Sequence, residues 1–163
     1  MRTGITKFLK FILSHAAFLS VITFVAGFLV SDFVNFRSDQ RSLLKEEFHQ
    51  SEETAKLVDK QLALLSAVAL GQKNKDPAVV TDLSNNAMAL FNEAAIITKR
   101  IPAAQVSFDR YSDAIVQLRE AAVKLSGPKD GKAFVEAVST YYSTKDEFDK
   151  IVVSSQGRYF PFL

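Results

Sequence analysis

The chain has 163 residues, a formal net charge of +2 and 48% hydrophobic side chains, with 14 phenylalanines, no tryptophan and no cysteine. The missing cysteine excludes disulfides, thiolate metal sites and C-x-x-C-H haem attachment together. Residues 37–163 carry 17 basic and 17 acidic side chains, a balance that offers nucleic acid no electrostatic attraction.

The first element is Phe11 to Ser31, 21 residues without an acidic or basic side chain. That is long enough to cross a hydrocarbon core of ~30 Å as a helix. Arg2, Lys7 and Lys10 precede it and Asp32 follows it at once. This asymmetry predicts a cytoplasmic stub at residues 1–10, a transmembrane helix at 11–31 and an exported remainder. The competing reading is a cleaved signal peptide, whose apolar region runs about 7–15 residues and ends in a small-x-small site. Here the run is longer and holds Phe18, Phe24 and Phe28, and the nearest cleavage candidate, Val25-Ala26-Gly27, lies inside it. The expectation is a retained anchor in a bacterial inner membrane, with the bilayer as one partner and a periplasmic domain over 32–156.

Ala16, Ser20, Thr23, Gly27 and Ser31 fall on one stripe of that helix. Small residues at this spacing let another helix approach closely, so the stripe is the candidate interface to another membrane subunit or to a second copy. His15 lies in the same segment, and an intramembrane ionisable residue is a functional candidate. Ligation of a haem iron or chlorophyll magnesium is one role for it. A lone histidine more often makes an interhelical hydrogen bond, and no cofactor or metal is assigned.

Beyond the membrane segment, Leu44, Phe48, Ser51, Ala55, Val58, Leu62, Leu65 and Ala69 recur in steps of four and three, the repeat of a packed helical seam. Nothing before Leu70 breaks a helix, so one helix is expected to run from the membrane segment to Gly71. Asp76-Pro77 opens the next, a capping carboxylate followed by proline at the first helical position. Its seam is Val80, Leu83, Ala87, Leu90, Ala94 and Ile97. A third seam runs Phe108, Tyr111, Ile115, Leu118, Ala122 and Leu125, closed by Gly127-Pro128. The fourth helix is expected from about Asp130, with Phe134, Val138, Tyr141, Phe148 and Val152, and to end before Gly157. Glu52–Lys56, Glu120–Lys124 and Asp146–Lys150 are outward pairs in the favourable i,i+4 order.

Ile101-Pro102 is where two architectures diverge. The seam keeps its phase through it, which permits three long helices with a kink at Pro102. Proline, however, pushes the preceding residue out of the helical region. A single returning helix from Pro77 to Ser126 would also span roughly 75 Å against ~60 Å for the helix it packs on. The favoured fold is all-α, an up-down-up-down antiparallel four-helix bundle continuing from the membrane helix.

Catalytic chemistry has little to stand on. Only one E-x-x-H motif occurs, Glu46 to His49, and the carboxylate di-metal bundles need a pair of them, so that class is excluded. Glu46-Glu47 and Glu52-Glu53 alternate with lysines as a solvated face does. No nucleophile–base arrangement can be assembled, so an enzyme is not expected. The architecture resembles the exported half of bacterial chemoreceptors, where a membrane helix leads into a four-helix sensory module. That resemblance implies a ligand-sensing module acting through a partner, since no second membrane helix follows the fourth helix here. The preferred expectation is an accessory, structural or assembly subunit of a larger envelope membrane complex. The tail, residues 157–163, adds a docking candidate in Arg158, Tyr159, Phe160, Phe162 and Leu163, whose rings suit a headgroup region or a groove on a partner.

Overall fold

The computed structural model describes the backbone of residues 2–158 and the side chains of residues 23–155. Its elements are α1 (Arg2–Ala69), α2 (Pro77–Arg100), a single 3-10 turn (Pro102–Ala104), α3 (Gln105–Lys124) and α4 (Pro128–Arg158), with no strand among the described residues. The chain divides into two compact units, Met1–Ser42 and Leu43–Leu163.

In the first unit the described apolar side chains between Phe24 and Phe36 are exposed around the helix, interrupted by Ser31, Asp32 and Asn35 and followed by a polar run from Arg37 to Ser42. Phe24 is 75% exposed, and Val25, Phe28, Leu29, Val30, Phe33, Val34 and Phe36 are each about half exposed or more. At about 100° per residue these positions leave no wide polar face on the helix. Arg37 lies 4.4 Å above the Phe33 ring, a cation–π contact at the polar end of this stretch. Among the described residues no helix is long and apolar enough to cross a membrane. Of the expected 11–31 span, only the side chains of 23–31 are described.

The second unit is the bundle, and its helices are antiparallel to both neighbours. Glu47 meets Arg100 and Thr54 meets Glu93, so α1 and α2 run in opposite directions. Ser84 meets Arg119 while Phe91 meets Phe108, which reverses α3 against α2. Phe108 meets Phe148 while Tyr111 meets Tyr141, reversing α4 against α3. Asp59 meets Tyr142 and Ala69 abuts Gly131, closing α4 onto α1. The four seams converge on one core that includes Val58, Leu62, Leu65, Leu83, Leu90, Ile97, Ile115, Leu118, Phe134 and Phe148.

Local chemistry fixes each turn. Gly71 sits just past α1 with φ of +71°, and its N–H donates to the Val68 carbonyl while Gln72 N–H donates to that of Ala67. Only glycine adopts this left-handed position without strain. Asp76 caps α2 by accepting from Ala78 N–H at 2.9 Å. Ile101 leaves the helical region (φ −123°, ψ 81°) as its position before proline demands, yet its N–H still donates to Ile97 and Thr98 and its side chain stays buried. The three-helix alternative therefore does not describe the fold: α2 ends at Arg100 and a fresh helix begins at Gln105.

Three details depart from the sequence reading. Helix α4 starts at Pro128 and runs through Gly157 to Arg158, because a glycine in a helix costs only about 1 kcal/mol relative to alanine. The α1 lysine Lys56 pairs with Glu53 at 2.5 Å, one turn away at i,i+3, and not with Glu52. Along the α4 seam Ala137 is buried where Val138 is only partly so, and the step between Tyr141 and Phe148 is filled by Lys145.

Candidate functional site

The sequence-derived sites are placed as follows. Thr23, Gly27 and Ser31 are exposed on α1, and a Cβ added at Gly27 would meet no atom within 4 Å. A helix face open at a glycine is geometrically free to receive a neighbouring backbone. Ala16, Ser20 and His15 have side chains outside the described residues, as do Arg158, Tyr159, Phe160, Phe162 and Leu163 of the tail. His49 is an exposed surface residue, 4.0 Å from Glu52.

The bundle adds a polar groove between α1 and α4 that sequence reasoning did not single out. It encloses about 520 Å³ and is lined by Glu52, Ala55, Lys56 and Asp59 from α1 and by Tyr142, Lys145, Asp146 and Asp149 from α4. Its positions follow from helix register: residues 52, 55, 56 and 59 occupy one flank of the α1 seam, and 142, 145, 146 and 149 occupy the facing flank of α4. Tyr142 donates its hydroxyl to Asp59 at 2.8 Å. Burial, with that bond and the Asp59 charge, pushes the phenol up to about 12. Lys145 and Asp149 form an ion pair with side chains only 20% and 28% exposed. Burial raises the Asp149 carboxyl above its ordinary value, and the hydrogen bond and charge of Lys145 only partly offset that. Lys150 pairs with Asp146 at the rim.

What the groove can do follows from these pairs. The lysine ammoniums and carboxylates are spent largely on one another, and no group of three or more metal-ligating side chains occurs among the described residues. Hydrogen-bond acceptors remain on Glu52 and Asp59, which suits recognition of a polar or cationic group better than bond-breaking. The missed signal was Lys145 itself, a lysine at a seam position with a carboxylate one turn on. Buried lysines are rarely tolerated without such a partner.

A second polar feature lies inside the bundle. Tyr111 and Tyr141 are almost fully buried with rings 5.8 Å apart, and neither hydroxyl has a hydrogen-bond partner of good geometry. Burial drives both phenols far above their ordinary value, so both are neutral donors. Glu93 reaches in from α2, accepting from the Thr54 hydroxyl at 3.0 Å through one carboxylate oxygen while the other is buried without a partner. Burial raises the Glu93 carboxyl, opposed by the Thr54 bond.

A raised carboxyl favours the folded state most when protonated. Its contribution is complete below the unfolded glutamate value of about 4.3 and is lost as pH rises through the folded value. Glu93→Gln, which keeps the acceptor for Thr54 and removes the charge, is therefore expected to melt above the parent at pH 7 and level with it near pH 4. Thermal melts across that range check this. A gap that widens toward low pH contradicts it.

Comparison with protein-family models, with curated proteins and with solved structures finds no match to this chain.

Proposed function

We propose that the chain is a single-pass, membrane-anchored helical bundle acting as an accessory, structural or assembly subunit of a larger envelope membrane complex. The observation that carries the proposal is the row of exposed large apolar side chains spread around α1 between Phe24 and Phe36, interrupted by the polar Ser31, Asp32 and Asn35. A helix that exposes so many large apolar side chains around its circumference is at odds with water and calls for lipid or another helix around it. The uncharged residues 11–23 extend the same character toward the N-terminus. Basic residues before the segment and Asp32 after it support a cytoplasmic N-terminus and a periplasmic bundle in a bacterial inner membrane. The open face at Thr23, Gly27 and Ser31 is the surface on which another subunit or a second copy would seat. Exposed, largely paired charges on the bundle and the lack of a nucleophile–base arrangement favour interaction over catalysis.

The α1/α4 groove favours one second reading, a chemoreceptor-like ligand-sensing module acting through a partner. That reading rests on architecture and a polar cavity alone, and architecture does not imply function.

Mild detergent solubilisation from native membranes, followed by mass spectrometry of what co-purifies, separates the readings. A stoichiometric multisubunit complex is expected, weakened in Gly27→Leu and retained in Phe18→Leu. A homodimer carrying a small ligand supports the second reading. A chain recovered alone in both variants contradicts the first.

A further inference from the structure

One end of the bundle has a character the other surfaces lack. The α1–α2 and α3–α4 connections meet there: Lys75 Nζ donates to the Val123 carbonyl at 2.6 Å, and Pro128 lies against Gly71. Five lysines gather on these two segments, at positions 73, 75, 124, 129 and 132. Only Asp76 and Asp130 oppose them within the connections, and both carboxylates are committed to backbone. Asp76 caps α2. Asp130 accepts from the N–H and the hydroxyl of Ser126, which hold it below the usual carboxylate range, with Lys129 and Lys75 adding to the effect. Lys124 and Lys132 lean back toward Glu120 and Glu136, at 3.4 and 3.8 Å. Lys73 and Lys129 make no ion pair among the described residues.

The same end is not purely polar. Leu70 is 67% exposed and Val123 60% exposed. Between α1 and α2 at this end lies a recess of about 200 Å³ floored by Leu64, Leu65, Val68 and Val79, with Lys73, Asn74 and the capping Asp76 on its edge. An apolar recess edged by Lys73, at an end that carries four more lysines, calls for a partner that brings both negative charge and a bulky apolar side chain. A polyanion brings only the first, and a neutral apolar helix only the second.

We propose that this end of the bundle docks an acidic protein segment, which seats one large apolar side chain in the recess at Val68 and Val79 and sets its carboxylates against Lys73, Lys75 and Lys129. Charge complementarity orients the encounter and sets its salt dependence, while the recess supplies the anchor. The inference deepens the proposed role as an interaction subunit and rests on it.

The test uses a photoreactive benzophenone amino acid placed at Leu70 of the full chain, crosslinked in whole cells of the native host. The expected adduct is a protein whose crosslinked segment is acidic and holds a large apolar residue. Its yield is expected to fall by about tenfold in Lys73→Glu with Lys129→Glu, and to survive within about twofold in the matching Lys→Arg pair. The same group at Ser139, on the α4 surface away from the recess, is expected not to give this adduct. Adducts that are lipid or polysaccharide, an adduct indifferent to charge reversal, or none at all overturn the proposal. Whole-cell yield needs no membrane fraction, so a chain that proves unanchored defeats the anchoring claim and leaves this result to be read by itself.

Discussion

Leu62→Ala, Leu90→Ala and Leu118→Ala are each expected to destabilise the bundle by roughly 2–5 kcal/mol, the range for leucines truncated in a closed core. All three side chains are essentially inaccessible, and they come from three different helices that converge on one cluster. Removing three carbons from any of them leaves a void that the other helices cannot close without moving along their whole length. Substitution of Glu52 or Lys56, which are exposed on the rim of the α1/α4 groove, is expected to change stability by less than about 0.5 kcal/mol. Urea melts of the five variants check the seam. If the leucine and charged variants shift alike, the assigned core is wrong.

The second large effect concerns a contact no seam pattern reveals. Where α4 begins, a Cβ placed on Gly131 would lie 2.6 Å from the Ala69 carbonyl oxygen. The obstacle is backbone at the end of α1, so no rotamer change relieves it. Gly131→Ala is expected to cost about 1–3 kcal/mol through forced separation of the two helix ends. Gly127→Ala is the matched control, because a Cβ there meets nothing within 4 Å. That change is expected to be neutral, or to stabilise by about 0.4–1 kcal/mol through a stiffer unfolded chain. Equal destabilisation by the two would mean that α1 and α4 do not approach closely at this end.

These two predictions mark the limits of what the sequence discloses. The seams were readable because apolar side chains recur at the period of a packed helix, and Leu44, Val58, Leu83, Ile115 and Phe134 are buried as that period requires. The turns were readable because Gly71, Asp76-Pro77 and Pro102 each permit few backbone states. Features that depend on the partner helix were not legible. Gly131 reads as an ordinary glycine in the first turn of the fourth helix until Ala69 is placed against it. Lys145 reads as a surface lysine until the α4 register puts it on the seam beside Asp149. The lysines at one end of the bundle lie some 50 residues apart in sequence, and only the antiparallel return of α3 and α4 brings them together. The α4 boundary was misjudged because glycine near a helix end signals a stop without enforcing one.

As proposed, α1 anchors the chain in a membrane with the bundle on the far side. The absence of cysteine makes this topology directly measurable, because a single introduced thiol is the only one in the chain. Thr3→Cys and Ser139→Cys, each in the full chain, are exposed to a membrane-impermeant maleimide in spheroplasts and again after lysis. Ser139→Cys is expected to be labelled in intact spheroplasts, while Thr3→Cys reacts only once the membrane is opened. Protection of Ser139→Cys until lysis, or recovery of the labelled chain free of the membrane, would contradict this topology.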